Sequence, residues 1–117
     1  MPKAPEILRV ETLAKTRIFH VEQLDLRFSN GVEVQYERLH SAPRGAVLVV
    51  PMLDADTVLL IREYAAGVER YELALPKGRL EAGEDLLAGA DRELKEEVGH
   101  GARRLRHITS LTLAPGY

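Results

Sequence analysis

Apolar and polar residues alternate cleanly over one early stretch. Leu24, Leu26 and Phe28 are separated by Asp25, Arg27 and Ser29, and Val32, Val34 and Tyr36 by Glu33, Gln35 and Glu37. A period of two marks strands with one wet face. Between the runs stands Asn30-Gly31, the pair favoured by two-residue type I′ turns because both central positions need positive φ. The pattern predicts an antiparallel hairpin. Before it, Met1-Pro2-Lys3-Ala4-Pro5-Glu6 has no apolar core of the kind a signal peptide needs and reads as a flexible start.

Further along the pattern changes. Ala46-Val47-Leu48-Val49-Val50 and Val58-Leu59-Leu60-Ile61 are apolar without alternation, which predicts strands covered on both faces. Tyr71-Glu72-Leu73-Ala74-Leu75 predicts a shorter strand stopped by Pro76, and Leu105 to Leu113 one more. The best helix runs from Glu84 to Val98, with Leu87, Ala90, Leu94 and Val98 on one stripe. Glu84 and Asp85 suit its positive end, and Gly99 stands where helices stop in left-handed geometry. Strands followed by one helix give an α/β (α+β) reading. One helix covers one sheet face at most, and the chain ends on the turn Ala114-Pro115-Gly116-Tyr117. A further covering helix, and so a C-terminal part of the native protein, is therefore expected beyond this segment.

Composition narrows the chemistry. The chain has 117 residues, enough for one small core, with 45% hydrophobic and 29% charged residues, which argues against disorder. The net charge of −2 is spread through the chain and suggests neither a nucleic-acid groove nor a membrane-binding face. With no cysteine, disulfides, thiolate catalysis and thiolate metal sites are excluded, so a metal must sit on oxygen or imidazole. No apolar run approaches the roughly 20 residues that span a bilayer. A cytoplasmic protein is the expectation.

The candidate chemistry lies between Gly78 and Gly99. Glu93, Glu96 and Glu97 share the end of the predicted helix at spacings of three and four. Each like-charge pair costs a few tenths of a kcal/mol, and each carboxylate near the negative helix end roughly 0.3–1 kcal/mol. A hard divalent cation reverses both penalties; a solvated acidic face with Arg92 and Lys95 as local partners is the plainer alternative. Upstream, Gly78 and Gly83 leave the backbone free to approach the carboxylates.

The whole pattern resembles the Nudix box: a glycine, five residues, Glu, seven residues, then Arg-Glu-apolar-x-Glu-Glu-x-Gly. Gly78, Glu84, Arg92, Glu93, Leu94, Glu96, Glu97 and Gly99 match it, and His100 departs from the aliphatic residue usual there. The resemblance implies a Nudix fold, a mixed β-sheet sandwiched by helices. It also implies metal-dependent cleavage of a nucleotide diphosphate with Mg2+ or Mn2+ as cofactor. Glu93 and Glu97 would be main metal ligands, Glu96 a third ligand or a holder of the nucleophilic water, and the Lys77 carbonyl a further ligand. Glu84 and Arg92 would pair and orient carboxylates, with a metal role open for Glu84. Such cations neutralise the diphosphate and lower the pKa of an attacking water.

The flanks are similar to those of Nudix hydrolases acting on ADP-ribose and related ADP compounds. Pro115 lies fifteen residues after His100, where members that cut ADP-sugars carry a proline, and Val10-Glu11-Thr12, Tyr36-Glu37-Arg38 and Ile61-Arg62-Glu63-Tyr64 extend the likeness. The group's usual arginine is replaced by Ala65, which implies that substrate is held differently. The resemblance implies release of AMP from ADP-ribose, NADH or short diadenosine polyphosphates. It further implies a homodimer, with residues 1–40 forming strands at the interface and residues 41–117 a Nudix domain. Substrate-contact candidates are Arg38, Arg62, Glu72, Arg79, Phe19 and Pro115. For Arg38 and Arg62 the equal alternative is a surface arginine at a strand end; for Glu72 it is a sheet-face glutamate; for Phe19 a core position has the greater weight. His20, His40, His100 and His107 show no metal-ligand spacing and are read as structural or solvated. A Nudix-fold sensor that binds a nucleotide without cutting it, and a Nudix hydrolase of another nucleoside diphosphate derivative, are the competing readings.

Overall fold

The hairpin forms, with a different turn. In the computed structural model, which describes residues 1–40 and 44–117, strands β2 (His20–Arg27) and β3 (Glu33–Leu39) pair antiparallel with Leu24 opposite Tyr36 and Leu26 opposite Val34. The Phe28 amide donates to the Val32 carbonyl at 2.9 Å and the Gly31 amide to the Phe28 carbonyl at 2.9 Å. The loop therefore holds three residues. Gly31 alone takes positive φ, at 85°, while the Asn30 side chain accepts from the Val32 amide at 3.1 Å. This is the type I turn with a glycine bulge that three-residue hairpins use, not the expected type I′ turn. Asn30 serves it through its side-chain oxygen.

Strand β1 (Glu6–Lys15) pairs antiparallel with β2 and completes a three-stranded sheet in the order β1-β2-β3. The expected flexible start gives way to this strand at Glu6. Its register shifts between Ile7 and Arg9 and again between Thr12 and Ala14. Each bulge inserts one extra residue, so Ile7-Leu8 and Leu13-Ala14 stand as adjacent apolar pairs and the period of two is lost. That is why alternation does not reveal the strand. All of β1 is exposed, whereas Glu22, Leu24 and Leu26 of β2 are buried on one face.

The chain divides into two compact units, Met1–Ala42 with Ser110–Tyr117, and Pro43–Thr109. The boundary expected between residues 40 and 41 abuts residues 41–43, which lie outside the described residues. In the first unit the Leu39 amide donates to the Tyr117 carbonyl at 2.6 Å.

In the second unit β4 (Ala46–Leu48) pairs with β7 (Lys77–Arg79), and β5 (Ile61–Ala65) with β6 (Arg70–Ala74); all described pairings are antiparallel. Helix α1 (Leu86–Val98) packs on β7 and β4. The core is Val47, Val49, Ala90 and Leu94, with Leu80, Leu86, Val98, Ala102 and Leu105 against it. Pro76 is fully buried and its carbonyl accepts from the Val49 amide at 2.9 Å.

Three expectations need correction. From Ala46 to Val50 only alternate residues are buried: Val47 of β4 and Val49 just after it pack with Ala90 and Leu94 of α1, while Leu48 is 61% exposed. Val58 and Leu60 are likewise exposed. Among the described residues nothing covers that second face. Leu105 to Leu113 forms no strand, and Ile108, Leu111 and Leu113 are exposed. An apolar run becomes a strand only where a neighbour offers a ladder in register. Finally, Leu87 is 38% exposed and Leu86 packs in the core instead, because the buried helix face is turned toward Gly89, Ala90, Glu93 and Leu94.

Candidate active site

The segment from β7 into α1 brings Glu84, Arg92, Glu93 and Glu96 together. Helix α1 starts at Leu86 with Asp85 as its cap; the Asp85 carboxylate accepts from the amides of Leu87 at 3.1 Å and Ala88 at 3.2 Å. These are two donors that a helix start leaves unpaired. At the far end Gly99 has φ of 82° and its amide donates to the Lys95 carbonyl at 2.9 Å, a left-handed cap. The preceding loop closes on itself. The Glu84 carboxylate accepts from the Glu81 amide at 3.1 Å, and Gly83 bridges them at φ of 69°.

Arg92 is the hub. Its Nε donates to Glu84 Oε2 at 2.7 Å and its Nη2 to Glu84 Oε1 at 2.8 Å, a two-pronged pair. Nη1 donates to Glu93 Oε1 at 2.9 Å and to Glu96 at 3.3 Å, and Nη2 also reaches the Arg79 carbonyl at 3.0 Å. One guanidinium thus ties the loop, β7 and the helix together and carries the positive charge among four carboxylates, with Glu81 at 3.7 Å the most distant. The Arg92 pair holds the Glu84 carboxyl down at about 2, with the Glu81 amide as second cause, and the carboxylates raise the pKa of Arg92. Lys95 does not share this work; it pairs with Asp91 at 2.8 Å.

Glu93 is the buried member, only 8% exposed. Its carboxyl group lies against Gly78, where any β-carbon would overlap it. Glu96 and Glu97 are exposed. Glu97 lines a cleft of about 410 Å3 together with Arg62, Glu63, Ile61, Leu60 and Val98. Glu72 lines a smaller cleft of about 240 Å3 with Lys77, Glu63 and Tyr64, and its carboxylate is paired with Arg70. The Lys77 ammonium pairs with Glu63 at 2.5 Å, and Lys77 stands opposite Leu48 in β7.

The remaining candidates belong to the other unit. Arg38 Nε donates to Glu22 Oε2 at 2.9 Å. Phe19 sits in the turn between β1 and β2 and is 53% exposed, so the core position is not what it occupies. Pro115 lies in the terminal turn closed by the Tyr117 amide on the Ala114 carbonyl at 2.9 Å.

Three structural features were not anticipated. Gly89 is buried, and a β-carbon there would run into the Leu80 side chain and the Glu84 carboxylate. A glycine inside a helix costs about 1 kcal/mol against alanine, which was the available signal. Asp91 accepts from the Ala102 amide at 2.9 Å and so fastens the chain after the helix. His20, Glu22 and His40 meet on the N-terminal sheet, their ligand atoms within 4.8 Å of one another.

The donor set suits a hard divalent cation. Glu93, Glu96 and Glu97 offer only oxygen, and the bare backbone at Gly78 lets the Glu93 carboxyl group lie against the strand. Carboxylates gathered by a glycine-bounded loop and helix, on a helix-backed strand pair, define a Nudix domain, and the chain belongs to the Nudix family. The NUDIX domain matches residues 42–117, and the NudE-type Nudix hydrolase N-terminal domain matches residues 5–38. The resemblance carried by Gly78 to Gly99 is thereby borne out.

Among its relatives is the ADP compounds hydrolase NudE of Escherichia coli (strain K12), 52% identical over 113 residues, which are 97% of this chain and 60% of that protein. The ADP-ribose pyrophosphatase of Bacillus subtilis (strain 168) is 32% identical over 94% of this chain and 61% of its own length. A crystal structure of an ADP compounds hydrolase superposes with a TM-score of 0.92 at 50% identity, covering 100% of this chain and 63% of the other. The chain thus spans about three-fifths of the length of these relatives. Among the described residues no helix is long and apolar enough to cross a membrane.

Proposed function

We propose that the protein hydrolyses the diphosphate linkage of ADP compounds, such as ADP-ribose, NADH and short diadenosine polyphosphates, with release of AMP. The observation that carries this reading is Arg92 holding Glu84, Glu93 and Glu96 in one array beside the cleft-lining Glu97. Two relatives, an ADP compounds hydrolase and an ADP-ribose pyrophosphatase, support the substrate class.

Glu93 and Glu97 would hold the cation, Mg2+ or Mn2+, with Glu96 and the Lys77 carbonyl as further ligands. Divalent cations supply charge neutralisation of the diphosphate and a more acidic attacking water. The chain's own groups do the positioning. Arg92 fixes the Glu93 carboxylate against Gly78, so that its oxygen is set before substrate arrives. Arg62 lines the same cleft as Glu97, which supports its assignment to a phosphate or ribose oxygen, for which a guanidinium is well shaped. Arg79, Glu72, Phe19, Arg38 and Pro115 are assigned to substrate contacts or the shape of the substrate region. The exposed β1, with Ile7, Leu8, Val10 and Leu13 open to solvent, supports a homodimer formed through the N-terminal strands. A cytoplasmic location goes with this reading.

The test is direct. The purified protein is incubated with ADP-ribose or NADH and Mg2+, and the products are separated. AMP is the expected product. Tight nucleotide binding with no cleavage under Mg2+ or Mn2+ would identify a sensor instead, and cleavage of other nucleoside diphosphate derivatives alone would move the substrate class.

A further inference from the structure

On the N-terminal sheet His20, Glu22 and His40 stand together, and the proposed diphosphate chemistry gives none of the three a role. Glu22 is only 6% exposed, and a buried carboxylate has to be paired. Its Oε2 accepts from Arg38 Nε at 2.9 Å, and its Oε1 lies 3.0 Å from His40 Nδ1. His20, two residues before Glu22 on the same face of β2, places its ring 4.8 Å from that of His40. His20 Nε2 is bonded to Thr12 Oγ1 of β1 at 2.9 Å.

We propose that His20, Glu22 and His40 form a binding site for a borderline divalent transition ion, with Zn2+ the best match. Two imidazoles and one carboxylate select such an ion over Mg2+. The ligand atoms lie no more than 4.8 Å apart. Tetrahedral zinc with bonds of about 2.0–2.2 Å sets its ligand atoms roughly 3.3–3.5 Å apart, so the pair at 3.0 Å already stands near that spacing. His40 is exposed, and a turn of its ring is the adjustment that ion binding would require. The outer partners are also in place. Thr12 orients the His20 ring through one nitrogen and leaves the other for a metal, and Arg38 keeps Oε2 while Oε1 ligates. Such partners fix ligand orientation at metal sites.

The site depends on the hairpin turn. The His40 amide donates to the His20 carbonyl at 2.7 Å, which continues the register in which Val21 faces Leu39. A two-residue turn at Asn30-Gly31 would have set His40 opposite Val21, on the other face of the sheet from Glu22. The bound ion would staple the open end of the β2-β3 pair.

The experiment titrates the protein with Zn2+, and with Co2+ as a coloured probe, without nucleotide. A double variant E93Q/E97Q silences the carboxylates of the Nudix helix. It is expected to retain one Zn2+ equivalent, a Co2+ spectrum with nitrogen ligation, and a rise in Tm with Zn2+. His20→Gln and His40→Gln are each expected to weaken that binding by about tenfold or more and to abolish the Tm rise. Thr12→Val keeps all three ligands but removes the partner of His20 Nε2, and is expected to weaken binding by roughly tenfold, which keeps the test open should a histidine variant not fold. Zn2+ affinity unchanged in Thr12→Val and in a folded histidine variant, or absence of Zn2+ binding by E93Q/E97Q, overturns the proposal.

Discussion

The Glu93 carboxyl group occupies the space that a β-carbon on Gly78 would need. Strand β7 and helix α1 are therefore joined at the one point where the strand has no side chain, and Arg92 closes the joint from the other side. The position of a candidate metal ligand thus depends on a residue with no functional group.

Gly78→Ala is expected to displace Glu93. Overpacking a closed contact costs about 1–3 kcal/mol, and moving a positioned group by about 1 Å costs roughly a hundredfold in turnover. Urea unfolding and kcat/KM with ADP-ribose should both fall. Full activity in a folded Gly78→Ala protein would mean that Glu93 is not set by this contact.

Gly89→Ala distinguishes packing from propensity. An exposed helical glycine changed to alanine gains about 1 kcal/mol. Here the added carbon meets Leu80 and Glu84, so the variant is expected to be less stable, by roughly 1–3 kcal/mol. A higher urea midpoint would show that the loop does not bear on the helix at this point.

Glu97→Gln separates chemistry from structure. Glu97 is exposed, and the variant is expected to unfold within about 0.5 kcal/mol of the parent. Turnover of ADP-ribose should drop about a hundredfold or more, the scale of removing one charge-stabilising group. Retained turnover would remove Glu97 from the metal-binding role.

The Glu84 and Arg92 pair carries a pH signature. The folded Glu84 pKa of about 2 lies below its ordinary 4.5. A depressed carboxyl pKa adds stability above the unfolded value, and that contribution is lost as pH falls through 4.5 toward 2. Arg92 remains charged throughout and opens no window of its own. Glu84→Gln should therefore lower Tm at pH 7, with a gap to the parent that narrows from pH 5 down to pH 2. A gap of constant size across that range would count against the ion pair.

Much of the site was legible because its signals are local. Gly99 ends the helix through its own backbone, and Glu93, Glu96 and Glu97 share a helix end by spacing alone; the expected start at Glu84 lies two residues early, since Asp85 caps the helix and Leu86 opens it. The hairpin was legible for the same reason, but the length of its turn was not: a three-residue loop and a two-residue one share the same Asn-Gly. That single residue decides which face His40 takes, so the group around Glu22 was hidden.

What the amino-acid order determined by itself is the Nudix loop and helix, with its glycines, caps and carboxylates, because spacing along a helix sets which side chains are neighbours. Only the tertiary structure decided which strand faces are covered, why Gly78 and Gly89 must be small, and which groups Arg92 ties together. It also decided that His20, Glu22 and His40 meet. These are contacts between segments distant in the chain, set by register and by the packing of one element on another, and no local period encodes them.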